Sequence, residues 1–197
     1  MRLRINRIWQ TPRLRGWPIL TLNNIPANGE NMKKSQHDTG SIERRHAFIG
    51  MVEGDCESIR NQRDTLAKAL PDALDALYDQ IRVTPEVGRF FSSENKIERA
   101  KQAQSNHWQS LLDAKFDHTY VEKVRSIGEI HAQIGLTPRW YIGAYTIILE
   151  RLIRSIIEEG MGRRGVFSHS SSQKRLSKNI TSLCKAVFTE IDLTVSF

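Results

Sequence analysis

Apolar residues recur at helical spacing along this chain from Ile42 onward, and nowhere do they alternate as a half-buried strand would. A short helix is predicted from Ile42 toward Gly50 or Gly54, capped by Ser41, with a polar helix to follow from Ser58 to Leu70. Pro71 opens the next, where Leu74, Leu77, Tyr78 and Ile81 make a compact apolar face. Thr84-Pro85 restarts the chain in a short turn carrying Phe90 and Phe91, and Ser92 or Ser93 caps a long helix through Ile97, Ala100, Gln104, Trp108, Leu111 and Leu112. Asp117 begins a helix in which Tyr120, Val124, Ile127, His131 and Ile134 lie on one stripe. Gly135 is placed to close that helix, and Thr137-Pro138 to cap and start another. From Pro138 to Glu159 the apolar arc is wide: Tyr141, Tyr145, Ile148, Leu152 and Ile156 form one stripe, with Leu149, Ile153 and Ile157 beside it. Gly160 to Ser172 reads as a loop. Leu176, Ile180, Leu183, Val187 and Ile191 then predict a last helix that reaches Phe197 without a cap, as though it continued further. The fold class is all-α.

His131 therefore points at whatever its helix packs against. A histidine in such a place is a metal ligand or a buried side chain with a satisfied hydrogen bond, and the stripe alone favours the second. The run His131-Ala132-Gln133-Ile134-Gly135-Leu136-Thr137-Pro138-Arg139-Trp140-Tyr141-Ile142-Gly143-Ala144-Tyr145 shifts that balance. It resembles the proximal-histidine signature of the globin-coupled sensors, the sensor relatives of protoglobin. There a histidine is followed by an Ile-Gly-Leu turn and a Pro-x-Trp-Tyr-x-Gly-Ala-Tyr helix start. A looser likeness runs from about Arg44 to Phe197. The resemblance implies a globin fold, a three-on-three-like helical sandwich with an extra N-terminal helix. It also implies heme b (iron protoporphyrin IX), with His131 as the proximal iron ligand.

The same resemblance gives expectations for the pocket. Tyr78 stands where the family places a distal tyrosine that donates a hydrogen bond to dioxygen; the alternative is a packed tyrosine bonded to backbone. Ala100, Ala103 and Gln104 are the nearest positions to a second distal residue, and the two alanines depart from the threonine or leucine of relatives. Tyr141 matches a family tyrosine beside the proximal histidine and is expected there with Ile127 and Ile134. Phe90, Phe91 and Trp108 are candidate porphyrin walls, or ordinary core. His107 is expected at the surface or at the heme edge. The two-stripe helix and the last helix suit a homodimer through Leu149, Ile153, Ile157, Leu183 and Val187, which the resemblance favours; the alternative is that both stripes are internal, as wide helix faces are in large globins.

Charge changes the picture little. The net charge of +7 is concentrated in residues 1–34, which hold seven Lys or Arg against Glu30, leaving 22 basic and 21 acidic residues for the rest. The folded part is nearly neutral and offers no surface for nucleic acid. Residues 1–40 carry no sustained period and read as a poorly ordered leader before a sensor domain over 41–197. They lack the apolar centre of a secretory signal. No run is long and apolar enough to span a membrane. The two cysteines, Cys56 and Cys184, define no framework, and the absence of Cys-x-x-Cys-His excludes covalent heme attachment. The chain is expected in the cytoplasm. The expected activity is reversible binding of dioxygen, with carbon monoxide and nitric oxide as further ligands. A following output domain (chemotaxis transducer, diguanylate cyclase or histidine kinase) would read the ligation state, and the chain itself would be no enzyme. A free-standing globin with dioxygenase or peroxidase chemistry and a heme-free helical interaction module are the alternatives.

Overall fold

The computed structural model describes residues 42–162 and 169–196. The expected leader and the Ser41 cap lie outside these. Every regular element among the described residues is helical: α1 (42–49), α2 (Glu53–Asn61), α3 (Arg63–Val83), α4 (Pro85–Gly88), α5 (Glu94–Leu112), α6 (His118–Ile134), α7 (Pro138–Gly162) and α8 (His169–Val195). Gly50 ends α1 at a left-handed φ of 64°, and Met51 N–H closes the turn on the His46 carbonyl at 2.8 Å. Asp117 caps α6 by accepting the Tyr120 N–H at 2.9 Å. Of the loop expected over Gly160–Ser172, the first three residues belong to α7 and the residues from His169 onward to α8, and the remainder lies outside the described residues.

Two helix boundaries differ from expectation. Ser58 starts no helix; it is buried inside α2, where its hydroxyl donates to Asn179 Oδ1 at 2.8 Å. Pro71 opens none either, since α3 passes through it without a break. An interior proline forfeits one backbone hydrogen bond and costs about 3 kcal/mol. Leu66 and Leu70 before it, and Ala73, Leu74 and Leu77 after it, are all buried. At about 1.5–3 kcal/mol for each large apolar side chain, that burial outweighs the loss.

The core forms where α3 lies along α7, bringing Leu66, Leu70 and Leu74 into one cluster with Ile148, Leu152 and Ile156. α3 also packs on α5, and α8 packs on α2, α6 and α7, so α7 stands between the two groups. Leu183 and Val187 correct the interface expectation: both are fully buried within the single chain, so neither can meet a partner. α8 buries Leu183, Ala186, Val187, Glu190 and Leu193, a face turned slightly from the one that sequence spacing predicts. Leu149, Ile153 and Ile157 on α7 stay half-buried, and Phe188 on α8 is exposed.

α2 is tied to α8 through Asp55, which has no exposed surface. Its carboxylate accepts from Val52 N–H at 3.0 Å, Ser182 Oγ at 2.7 Å, Lys185 Nζ at 3.0 Å, and also from Lys178 Nζ. Burial alone would raise its pKa, but Lys178, the Val52 amide, Ser182 and Lys185 together hold it well below the carboxylate range. A depressed folded pKa contributes stability above the unfolded value near 4, and that contribution fades as the pH falls. Both lysines are part-exposed, so Asp55→Asn should cost about 2–3 kcal/mol at pH 6, less than a fully buried broken pair. In urea unfolding the gap between wild type and variant should narrow by about 1 kcal/mol at pH 3. A gap independent of pH would show that Asp55 acts through shape and not charge.

Candidate functional site

α6 ends just past His131 in a Schellman turn. Gly135 takes φ 71°, its N–H meets the Ala132 carbonyl at 3.1 Å, and Leu136 N–H meets the His131 carbonyl at 2.9 Å. Only Leu136 and Thr137 follow before Pro138 starts α7, so the first turn of α7 folds back beside His131. Tyr141 stacks on the imidazole with ring centroids 5.0 Å apart and planes 22° from parallel. The two side chains expected together are together.

His131 is not a satisfied core histidine. Its Nδ1 is buried without a hydrogen-bond partner among the described residues. Leaving such a group unpaired costs about 1–3 kcal/mol. Burial, reinforced by the charge of His107, lowers its pKa to about 4, so the ring is neutral at ordinary pH. A neutral imidazole with a free nitrogen is the form that binds a metal. The donor chemistry therefore fits an axial iron ligand.

Tyr78 lies buried on α3, with Phe91 edge-on at 6.1 Å. Burial, with the charge of Glu98, pushes its hydroxyl far above the ordinary range, so it remains a donor. The backbone partner expected of a packed core tyrosine is absent among the described residues. Phe90 is half-buried like Phe91, whereas Trp108 lies in the main core against Tyr145 at 5.7 Å.

α5 and α6 do not pack along their length. They meet at one end, where His107 stacks on Tyr120 at 6.2 Å. Elsewhere on α5, Ala103 is exposed and Ala100 half-buried, and on α6 Ile127 and His131 are half-buried. Gln104 and Ile134 are half-buried as well.

His107 is not at the surface, the first of its two expected places. It is a nearly enclosed side chain where α5 meets α6, and its Nε2–H donates to Glu190 Oε1 at 2.7 Å. Tyr145 donates to the same oxygen and Tyr120 to Oε2. Burial lowers the His107 pKa, but the Glu190 carboxylate outweighs it and the net shift is upward. Glu190 is lowered in turn, since His107 and the two phenols overcome its burial. Sequence reading passed over Glu190, although it lies three residues after Val187 and three before Leu193, both core.

A family model described as protoglobin matches residues 38–197 of this chain. The chain belongs to the protoglobin family. Among similar proteins, the heme-based aerotactic transducer HemAT of Halobacterium salinarum is 28% identical over 130 residues, 65% of this chain and 26% of HemAT. The chain thus spans about a quarter of that relative's length. The globin domain of a Geobacter sulfurreducens globin-coupled sensor superposes over 78% of this chain and 95% of that domain, at TM-score 0.65 and 16% identity. The all-α expectation and the protoglobin-type globin fold are borne out. No helix among the described residues is long and apolar enough to cross a membrane. Cys56 and Cys184 are free thiols.

Proposed function

We propose that this protoglobin-family chain is a heme-based gas-sensing module, held to b-type heme by His131 and poised to bind dioxygen, carbon monoxide and nitric oxide. The observation that carries the reading is the buried, partnerless Nδ1 of a neutral His131 ring on which Tyr141 stacks. Heme, when bound, supplies an iron with one open position for a diatomic gas. Tyr141 fixes the imidazole plane by stacking on it, and the half-buried Ile127 and Ile134 put apolar side chains on the same stripe of α6 as His131. Tyr78 supplies a neutral O–H donor, which favours dioxygen over the less polarised carbon monoxide. Ala100, Ala103 and Gln104 line the α5 flank with little bulk. The outcome would be read by a signalling domain following α8, in the cytoplasm, the chain itself doing no chemistry on the gas. The similarity to an aerotactic transducer supports this reading.

Replacing His131 tests the site. His131→Ala should purify with little heme absorbance, and added imidazole should restore it by filling the vacant position. Full heme content without imidazole would move the iron to another side chain.

Tyr78 makes a separate claim. A hydrogen bond to a partly charged acceptor contributes about 1.5–3 kcal/mol. Tyr78→Phe should therefore speed dioxygen release by roughly ten- to a hundredfold and alter carbon monoxide release far less. Equal release rates from variant and wild type would assign the donor elsewhere, with Gln104 the next candidate.

The half-buried stripe of Leu149, Ile153 and Ile157, with Phe188 exposed on the neighbouring α8, supports a homodimer through α7 and α8. Phe188→Glu leaves the core untouched. It should convert a two-chain mass in solution to a one-chain mass while the heme spectrum persists. A wild type that sediments as one chain at micromolar concentration rejects the dimer.

A further inference from the structure

We propose that Glu190 is a positioning residue that links the setting of α6 and α7 around His131 to the C-terminal helix α8, an inference that rests on the heme-sensor reading above. Glu190 has no exposed surface, and it gathers one donor from each of three helices: His107 of α5, Tyr120 of α6 and Tyr145 of α7. Two of these arms lead back to the site. Tyr120 is on the helix that carries His131, and Tyr145 is one turn beyond Tyr141, which stacks on His131.

The character of the bond matters as much as its route. Apolar contacts such as those of Leu183, Val187 and Leu193 are non-directional. Hydrogen bonds to an ionised carboxylate are short and directional, and a buried carboxylate has no water to replace a lost partner. A shift of α6 or α7 against α8 must therefore carry the Glu190 side chain with it or break a bond. On α8 the movement has a way onward. The Thr194 hydroxyl donates to the backbone carbonyl of Glu190 at 2.8 Å, one turn nearer the end of the helix. The alternative role for Glu190 is purely structural, a satisfied buried charge that holds four helices together. The two roles differ in what happens to α8 when the ligand changes.

Hydrogen exchange of the heme-loaded chain, with and without carbon monoxide, separates them. In the wild type, amides from Val187 to Val195 should change protection several-fold when the gas is added. Glu190→Gln preserves shape but replaces one acceptor oxygen with a donor. It should keep heme and gas binding and lose most of that change. Tyr145→Phe and Tyr120→Phe each delete a single hydroxyl, and each should weaken the change even if the Gln variant fails to fold. A wild type whose α8 is indifferent to carbon monoxide overturns the proposal. So do variants that are less stable overall yet show the full ligand-dependent change, which is the purely structural outcome. Failure of the underlying reading is distinct, since a chain that takes up no heme shows it in its absorption spectrum before any exchange is measured.

Discussion

A carboxylate with no exposed surface is costly to bury, and in this fold one such group, Glu190, is buried where four helices meet. Its ionised state survives because His107, Tyr120 and Tyr145 replace the water it has lost. Each donor must come from the right turn of its helix, so the arrangement fixes the axial register of α5, α6 and α7 against α8. Apolar packing alone carries no such directional requirement. His107 and Tyr120, which both reach this carboxylate, also stack on each other with ring centroids 6.2 Å apart.

Much of the site was legible in the sequence because its signals are local. The His131–Tyr141 stack depends on a glycine turn and a two-residue link, and both stand in one short run of residues. Asp117 and Gly135 announce helix ends through the chemistry of a cap and a left-handed turn, which need no knowledge of the remainder. Pro71 shows the opposite case. Its local preference is to break a helix, and it yields to the burial of Leu66, Leu70, Leu74 and Leu77 on both sides, which only the assembled core supplies.

His107 and Glu190 were illegible for a related reason. A glutamate or histidine in a helical pattern reads as solvated unless its partners are known, and here they lie 83 residues apart in the chain. The same limit explains Leu183 and Val187. Four-three spacing marks a stripe that packs on another helix, but it does not say whether that helix belongs to the same chain. In this structure it does: Leu183 and Val187 belong to the chain's own core cluster.

The Glu190 junction is, in mechanical terms, a pivot. On α6 the arm from Tyr120, which Glu190 holds, to His131 is roughly 16 Å long at 1.5 Å per residue. A displacement of about 1 Å at His131 therefore amounts to only about 3–4° of rotation at the pivot, within ordinary adjustments of helix packing. What begins as a translation beside His131 arrives at α8 as a small twist.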